Sequence, residues 1–296
     1  MKLRARERID NSVKLLVKTT GFLVIAILGG IFFMLLWNTA AFFLKIKPMD
    51  FMTGTQWNPS GDPATYGILP LLVSTCLVTL GAMVIAIPLG IGTASFLSEY
   101  AGKRLKNILK PIIEMLAAVP SVAIGFLGIV ILGPGIAQIT GQPNGLNALN
   151  GAILLAVMAL PTIITVAEDA LHGVPHMYKE ASYAVGASKW KTLIYVTIPA
   201  AAPGILAAVM LGVGRAIGET MTVLMATGNA SAFPKGFFHS VRTITATIAI
   251  EMGEVPYQTT HYYSLFAIAA VLFLITLAVN LLGEHYVNKF RKFHSA

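Results

Sequence analysis

Between Met115 and Ala167 the chain runs for 53 residues without an Asp, Glu, Lys or Arg. A bilayer core is crossed by a helix of about 20 apolar residues, so this stretch is too long for one span. Two clusters, Gly133-Pro134-Gly135 and Gly141-Gln142-Pro143-Asn144-Gly145, supply the turn chemistry that folds it back on itself. The same length rule places spans at Gly21 to Leu44, Ile68 to Ser98, about Leu109 to Leu132, about Asn150 to Leu171, about Ala200 to Thr227, and Tyr262 to Gly283. The first span is longer than the apolar core of a secretory signal, about 7–15 residues, and is expected to remain in the mature protein.

Composition agrees. Charged residues make up 11% of the 296, against about 25% in soluble domains, and the mean hydropathy is +0.75. A soluble globule, a disordered chain, a collagen-like chain and a disulfide scaffold are excluded. The single cysteine, Cys76, lies in an apolar run and forms no internal disulfide. The expected class is an all-α membrane protein with six transmembrane helices. Residues 1–20 are expected to form a cytoplasmic tail, residues 21–290 a transmembrane domain, and residues 172–199 a cytoplasmic elbow within it.

The net charge of +8 is no nucleic-acid signal, because the excess sits beside apolar runs. Sixteen Lys and Arg fall in the two tails and in the segments before spans 3 and 5, and four (Lys45, Lys47, Lys235, Arg242) in the opposite loops. That bias predicts cytoplasmic termini. The remaining one, Arg215, lies inside span 5. The segment from Trp57 to Tyr66 reads as an external turn region. Residues 236–261 mix apolar residues with Arg242, Glu251 and Glu254, and read as an interfacial or re-entrant segment.

The loop between spans 4 and 5 reads Glu180-Ala181-Ser182, three residues, Gly186, nine residues, then Val196-Thr197-Ile198-Pro199. Pro175 suits a first helical turn. Gly186 suits a left-handed cap. Ser188 suits the N-cap of a second short helix ending before Pro199. A plain surface loop is the alternative. The spacing resembles the EAA motif of ABC importer permeases, with Glu180, Ala181, Gly186 and Pro199 matching and Ser182 in place of the second alanine. The resemblance implies that the elbow is the helix that couples to a cytoplasmic ATPase subunit.

Span 5 carries Gly214-Arg215-Ala216-Ile217-Gly218-Glu219-Thr220-Met221. Arg215 lies about 22 Å along a helix entered near Ala200. A charge at that depth is costly. On a continuous helix Glu219 shares its face. One reading is an ion pair that serves packing; the other is an anion site built on the guanidinium fork. Gly212, Gly214 and Gly218 remove bulk for close packing or for a ligand.

The run from Arg215 through Met221 to Gly228-Asn229 resembles the C-type permease subunits of Pst phosphate importers. So do Thr53-Gly54-Thr55-Gln56-Trp57-Asn58-Pro59, the stretch Ile87-Pro88-Leu89-Gly90 through Leu97-Ser98-Glu99-Tyr100, and Arg242 through Glu254. The resemblance covers roughly residues 15–290. It implies a type I (MetI-like) importer permease fold and transport of phosphate across the plasma (inner) membrane. It further implies a heterodimer with an A-type permease, a cytoplasmic ATPase dimer and an extracytoplasmic phosphate-binding protein. Arg215, Glu219, Thr220 and Ser121 are the expected substrate-path residues. Lipid surrounds the spans.

Other candidates are weaker. Glu114, Glu168 and Asp169 read as solvated or helix-end groups. His172 and His176 are four apart, but Pro175 between them argues against a metal pair, so no metal site, cofactor or catalytic residue is expected. Pro88, Pro120 and Pro161 are candidate kinks, and Ser121 lines the path or satisfies freed backbone. The chain contains no G-x-x-x-x-G-K-[ST] phosphate loop, so ATP hydrolysis is expected in a partner. An ion-coupled secondary anion transporter, a sister ABC permease for sulfate, molybdate or phosphonate, and a membrane scaffold are the alternative functions.

Overall fold

The computed structural model describes the backbone of residues 2–294 and the side chains of residues 13–288. The side chains of Lys2, Arg4, Arg6, Arg8, Lys289, Arg291 and Lys292, counted in the charge bias, lie outside the described residues.

Helix α1 (Lys2–Phe43) and α2 (Pro48–Thr53) lead to a two-residue hairpin, β1 (Trp57–Asn58) against β2 (Thr65–Tyr66), paired antiparallel with Trp57 opposite Tyr66. Then come α3 (Leu69–Ser95), extended by a π-helical turn at Phe96–Tyr100, and α4 (Lys103–Ala117). The charge-free stretch forms α5 (Ser121–Leu127), a π-helical turn (Gly128–Leu132), α6 (Gly133–Thr140) and α7 (Ala148–His172). The elbow is α8 (His176–Ala184) and α9 (Lys189–Thr192), which continues through a π-helical turn (Leu193–Thr197) into α10 (Ile198–Gly218). Helices α11 (Met221–Ala226), α12 (Ile244–Glu251) and α13 (Thr260–His294) complete the chain.

Six segments are long and apolar enough to span a bilayer: Val13–Phe43, Leu69–Tyr100, Ser121–Thr140, Ala148–His172, Lys189–Gly218 and Thr260–Asn288. They are numbered spans 1 to 6. Helix α7 is central, with α3 on one side and α10 on another. Small residues let the backbones approach, which is how helices pack where no hydrophobic force drives them together. Ala82, Ala86, Ala152, Ala156 and Ala159 fill the α3–α7 seam. A Cβ at Gly90 would sit 2.6 Å from Ile163 Cγ2, and one at Gly212 would sit 2.6 Å from Ile163 Cγ1. Span 1 lies outside this core and packs on α13.

Three expectations are corrected. Span 3 does not begin near Leu109. Residues 103–117 form a separate amphipathic helix, none of it buried, and the chain breaks at Ala118–Pro120 before α5. Pro120 therefore separates two helices, whereas Pro88 and Pro161 lie inside continuous ones. The turn back toward span 4 is not at Gly133-Pro134-Gly135. Those residues open α6, which runs on from the π-helical turn without interruption. The reversal comes after Gly141, at φ 68°, and α7 starts under an Asn147 cap that accepts from the Asn150 amide at 3.0 Å. Asn150 Nδ2 donates to Gly128 O at 2.9 Å and Gly145 O at 3.0 Å, satisfying carbonyls in the preceding π-turn and loop. Finally, Pro199 ends no helix: it falls in the first turn of α10, which follows the π-turn without interruption.

Candidate functional site

Two sites emerge. The first is the elbow. Helix α7 ends at His172 and α8 begins at His176 after Pro175, so no continuous helix carries the two histidines. Gly186 has φ +82° and open space around its Cα. The chain needs a left-handed residue there, and glycine takes that conformation without the Cβ clash. Ser188 Oγ accepts from the Lys191 amide at 3.4 Å, marking the start of α9. Glu180, Ala181, Gly186 and Pro199 are all exposed. So are Met177, Tyr178, Tyr183 and Val185. An apolar surface of this kind marks an interaction site.

The second site is a break in span 5. Helix α10 stops at Gly218, Glu219 is extended (φ −69°, ψ 133°), and α11 restarts at Met221. Arg215 and Glu219 therefore do not share a helix face. Arg215 Nη1 donates to Thr162 Oγ1 of α7 at 3.3 Å, and no ion pair joins Arg215 to Glu219 among the described residues. The Glu219 carboxylate instead accepts from the Thr222 amide at 3.3 Å, at the open start of α11. The Glu219 carbonyl accepts from Thr245 Oγ1 at 2.8 Å. Thr220 Oγ1 donates to Gly218 O at 3.4 Å, and Thr222 Oγ1 donates to the Ser121 carbonyl at 3.1 Å, tying the start of α5 to α11. The fold thus gathers Glu219, Thr220, Thr222 and Ser121, with Arg215 one turn back, all but Thr222 half-exposed. The glycines divide in role: Gly212 allows close packing on Ile163, while a Cβ at Gly218 would meet nothing within 4 Å. Irregular backbone at membrane depth is tolerated where it is buried in protein or lines a cavity, and broken helices frame substrate sites in membrane transporters.

Three charge clusters were not legible as such. Glu168, only 2% exposed, receives Lys106 at 2.5 Å and Lys110 at 2.8 Å, with Asp169 3.6 Å from Lys110. It is a buried clasp holding α4 on α7 and not a solvated helix-end group. The signal was present: Lys106 and Lys110 are four apart, on one face of an amphipathic helix. The hydrogen bond to Glu168 raises the Lys110 pKa above the ordinary lysine value. Lys179 of α8 meets Glu99 at 2.5 Å. On the opposite side of the molecule, Glu251 collects Trp57 Nε1 at 3.1 and 3.2 Å, Arg242 at 3.0 Å and His261 at 2.8 Å. This hub anchors the segment 236–261, whose helix α12 enters the bundle with Ile244 to Thr247 buried.

Comparison with known proteins follows the same lines. Residues 86–292 match the family model of the binding-protein-dependent transport system inner membrane component. A probable ABC transporter permease, YqgH of Bacillus subtilis, is 38% identical over 247 residues, 83% of this chain and 80% of the relative. The phosphate transport system permease PstC of Mesorhizobium japonicum is 33% identical over 294 residues, 92% of this chain and 88% of the relative. Among solved structures, the MetNI methionine ABC transporter in an inward-facing conformation aligns with TM-score 0.56 at 20% identity, over 76% of this chain and 94% of that one. A bacterial alginate ABC transporter aligns with TM-score 0.59 at 13% identity, over 91% and 94%. These structures share the type I importer permease fold. The chain belongs to the binding-protein-dependent transport system inner membrane component family: it is a multi-pass ABC importer permease of the inner membrane, similar to the PstC proteins.

Proposed function

We propose that this permease passes inorganic phosphate, forms half of the translocation path beside a second, A-type permease, and is driven through its elbow by a separate ATPase dimer. Both termini and the elbow then face the cytoplasm, and the Glu251 side faces an extracytoplasmic phosphate-binding protein. The observation that carries the reading is the break at Glu219–Thr220, one turn beyond an arginine held within a membrane span. A guanidinium there matches phosphate oxygens, and its bond to Thr162 is at the long end of the hydrogen-bond range. The relatives named as phosphate permeases support the choice of anion.

Glu219 adds a discriminating element. Near neutral pH phosphate keeps a proton and sulfate does not. An ionised carboxylate accepts a hydrogen bond from the former and repels the latter. Because Arg215 and Glu219 stand apart and do not neutralise each other, each is available to the anion.

The test is uptake of phosphate, sulfate and molybdate into vesicles holding the whole complex. Arg215→Gln and Arg215→Lys are expected to lose most transport in complexes that still assemble. Full activity in Arg215→Gln sinks the anion role, and failed assembly of both variants makes the arginine structural. Glu219→Gln is expected to slow phosphate and narrow its preference over sulfate. An unchanged preference would make Glu219 a gate or backbone cap. Preferential uptake of sulfate or molybdate by the unmodified complex would favour a sister permease.

A further inference from the structure

Resting on the reading of α8 as the coupling elbow, we propose that span 2 is the rod that carries the elbow's movement to the break in span 5, with Glu99 and Thr75 as positioning residues at its two joints. None of the residues of α8 is buried, so apolar packing does not hold it to the bundle. Its link to span 2 is the pair Lys179–Glu99 at 2.5 Å, with side chains only 12% and 9% exposed. The other side-chain bond, Ser182 Oγ to Thr192 Oγ1 at 2.9 Å, ties α8 to its own hairpin partner α9. Lys189 of α9 lies 4.8 Å over the Tyr100 ring. Both elbow helices therefore grip one π-helical turn, Phe96–Tyr100. Separating a desolvated ion pair leaves two unpaired charges, which strongly disfavours opening the joint. The elbow and span 2 move together.

The other joint lies about 36 Å along the same helix at 1.5 Å per residue. Thr75 Oγ1 accepts from the Ile244 amide at 3.0 Å, at the start of α12. The next residue, Thr245, donates to the Glu219 carbonyl at 2.8 Å. Thr75, Ile244 and Thr245 are buried. The chain of contacts from Lys179 through Glu99, α3, Thr75, Ile244 and Thr245 to Glu219 is thus continuous, with each end set on a feature that the transport reading needs. Contiguity alone is not coupling, so the proposal stands on what its joints do when opened.

The experiment uses the complete transporter in vesicles, with phosphate uptake and ATP hydrolysis measured together. Glu99→Gln is expected to cut uptake per ATP by about tenfold while hydrolysis continues. Thr75→Val acts in the same direction, and the double variant is no worse than Glu99→Gln alone, because one open joint already idles the rod. Exchanging the charges, Glu99→Lys with Lys179→Glu, restores coupling. Independent, multiplying losses in the double variant would overturn the shared path. As a measurement that does not depend on that exchange, Glu99→Cys with Lys179→Cys in a Cys76→Ala background is bridged by a short cleavable thiol cross-linker. Binding-protein-stimulated ATP hydrolysis should survive the bridge. Loss on bridging, regained on cleavage, would show that the joint must open and would overturn the proposal. That readout does not depend on which anion moves, whereas absent phosphate uptake by the unmodified complex counts against the functional reading itself.

Discussion

The two ends of the bundle are built on opposite plans. At the hairpin end, a strand, a loop and the start of a helix converge on one carboxylate. Glu251 satisfies Trp57, Arg242 and His261, and Arg242 Nε also donates to Asn229 O at 2.8 Å. Phe42, Phe51 and Trp57 are buried beneath it. At the elbow end, Met177, Tyr178 and Val185 are exposed, and α4 and α8 bury nothing. Short helices there are held by ion pairs, Lys106 and Lys110 to Glu168 and Lys179 to Glu99. One end gathers three segments of the chain onto a shared carboxylate. The other holds short helices by separate ion pairs, with no side chain of α4 or α8 buried beneath them. Bound partners of the two ends should accordingly differ in how much they reshape what they touch.

The contrast can be broken by variants, which run from the largest effect on stability to the smallest. Glu251→Ala strips the acceptor from three segments; the cluster is only part-buried, with side chains of Arg242, His261 and Glu251 21%, 17% and 13% exposed, so the expected loss is about 2–3 kcal/mol, below that of a fully buried pair. The thermal midpoint of the purified complex should fall by several degrees, and an unchanged midpoint would show that the hairpin end does not rest on this hub. Glu168→Gln opens the clasp on α4. Its lysines are 28% and 32% exposed, so water compensates in part and the expected loss is about 1–2 kcal/mol. Amide exchange over Lys103–Ala117 should quicken while α7 stays protected; uniform protection would mean that packing and not charge holds α4.

Gly186→Val brings no steric clash, since a Cβ built there would meet nothing within 4 Å, so its cost is confined to the backbone. It places a β-branched residue at positive φ, a local strain of about 1–2 kcal/mol. Uptake per ATP should nevertheless collapse, and normal coupled transport would remove the elbow from the coupling role. The smallest effect is that of pH on the clasp. The folded pKa of Lys110 is raised by Glu168. Its stabilisation is therefore fully present below the ordinary lysine value of about 10.4 and is lost only as pH rises through the higher folded value. Exchange of α4 amides, corrected for intrinsic pH dependence, should stay flat across neutral and mildly alkaline pH; loosening there would implicate another group.

Much of this was legible in the chain. Length and charge spacing located spans 1, 2, 4 and 6 closely, because long uncharged runs have few other uses. Gly186 announced its left-handed backbone by residue type and spacing. What escaped depended on contacts distant in sequence. Ile112, Ile113, Met115 and Leu116 read as the start of a span, yet they belong to an amphipathic helix pinned by Glu168, and hydropathy does not separate the two cases. The stop at Gly218 is marked by no proline; it coincides with Thr245 holding the Glu219 carbonyl from 26 residues away. The Arg215–Glu219 pairing failed because the helix ends between the two residues. Glu99 and Lys179 meet across 80 residues, and nothing local ties them.

The π-helical turn at Leu193–Thr197 has a consequence for angular register. An α-helix advances about 100° per residue, and a turn closed one residue late slips the phase of everything that follows. The elbow and the membrane half of span 5 are thereby clocked separately, so the face that carries Arg215 toward Thr162 is not the one that an unbroken helix from Lys189 would present. Deleting a single residue within 193–197 would restore regular winding and swing either the arginine away from α7 or the elbow away from Glu99. The spare residue lets two orientations, one set by the elbow and one by the bundle, coexist on a single helix.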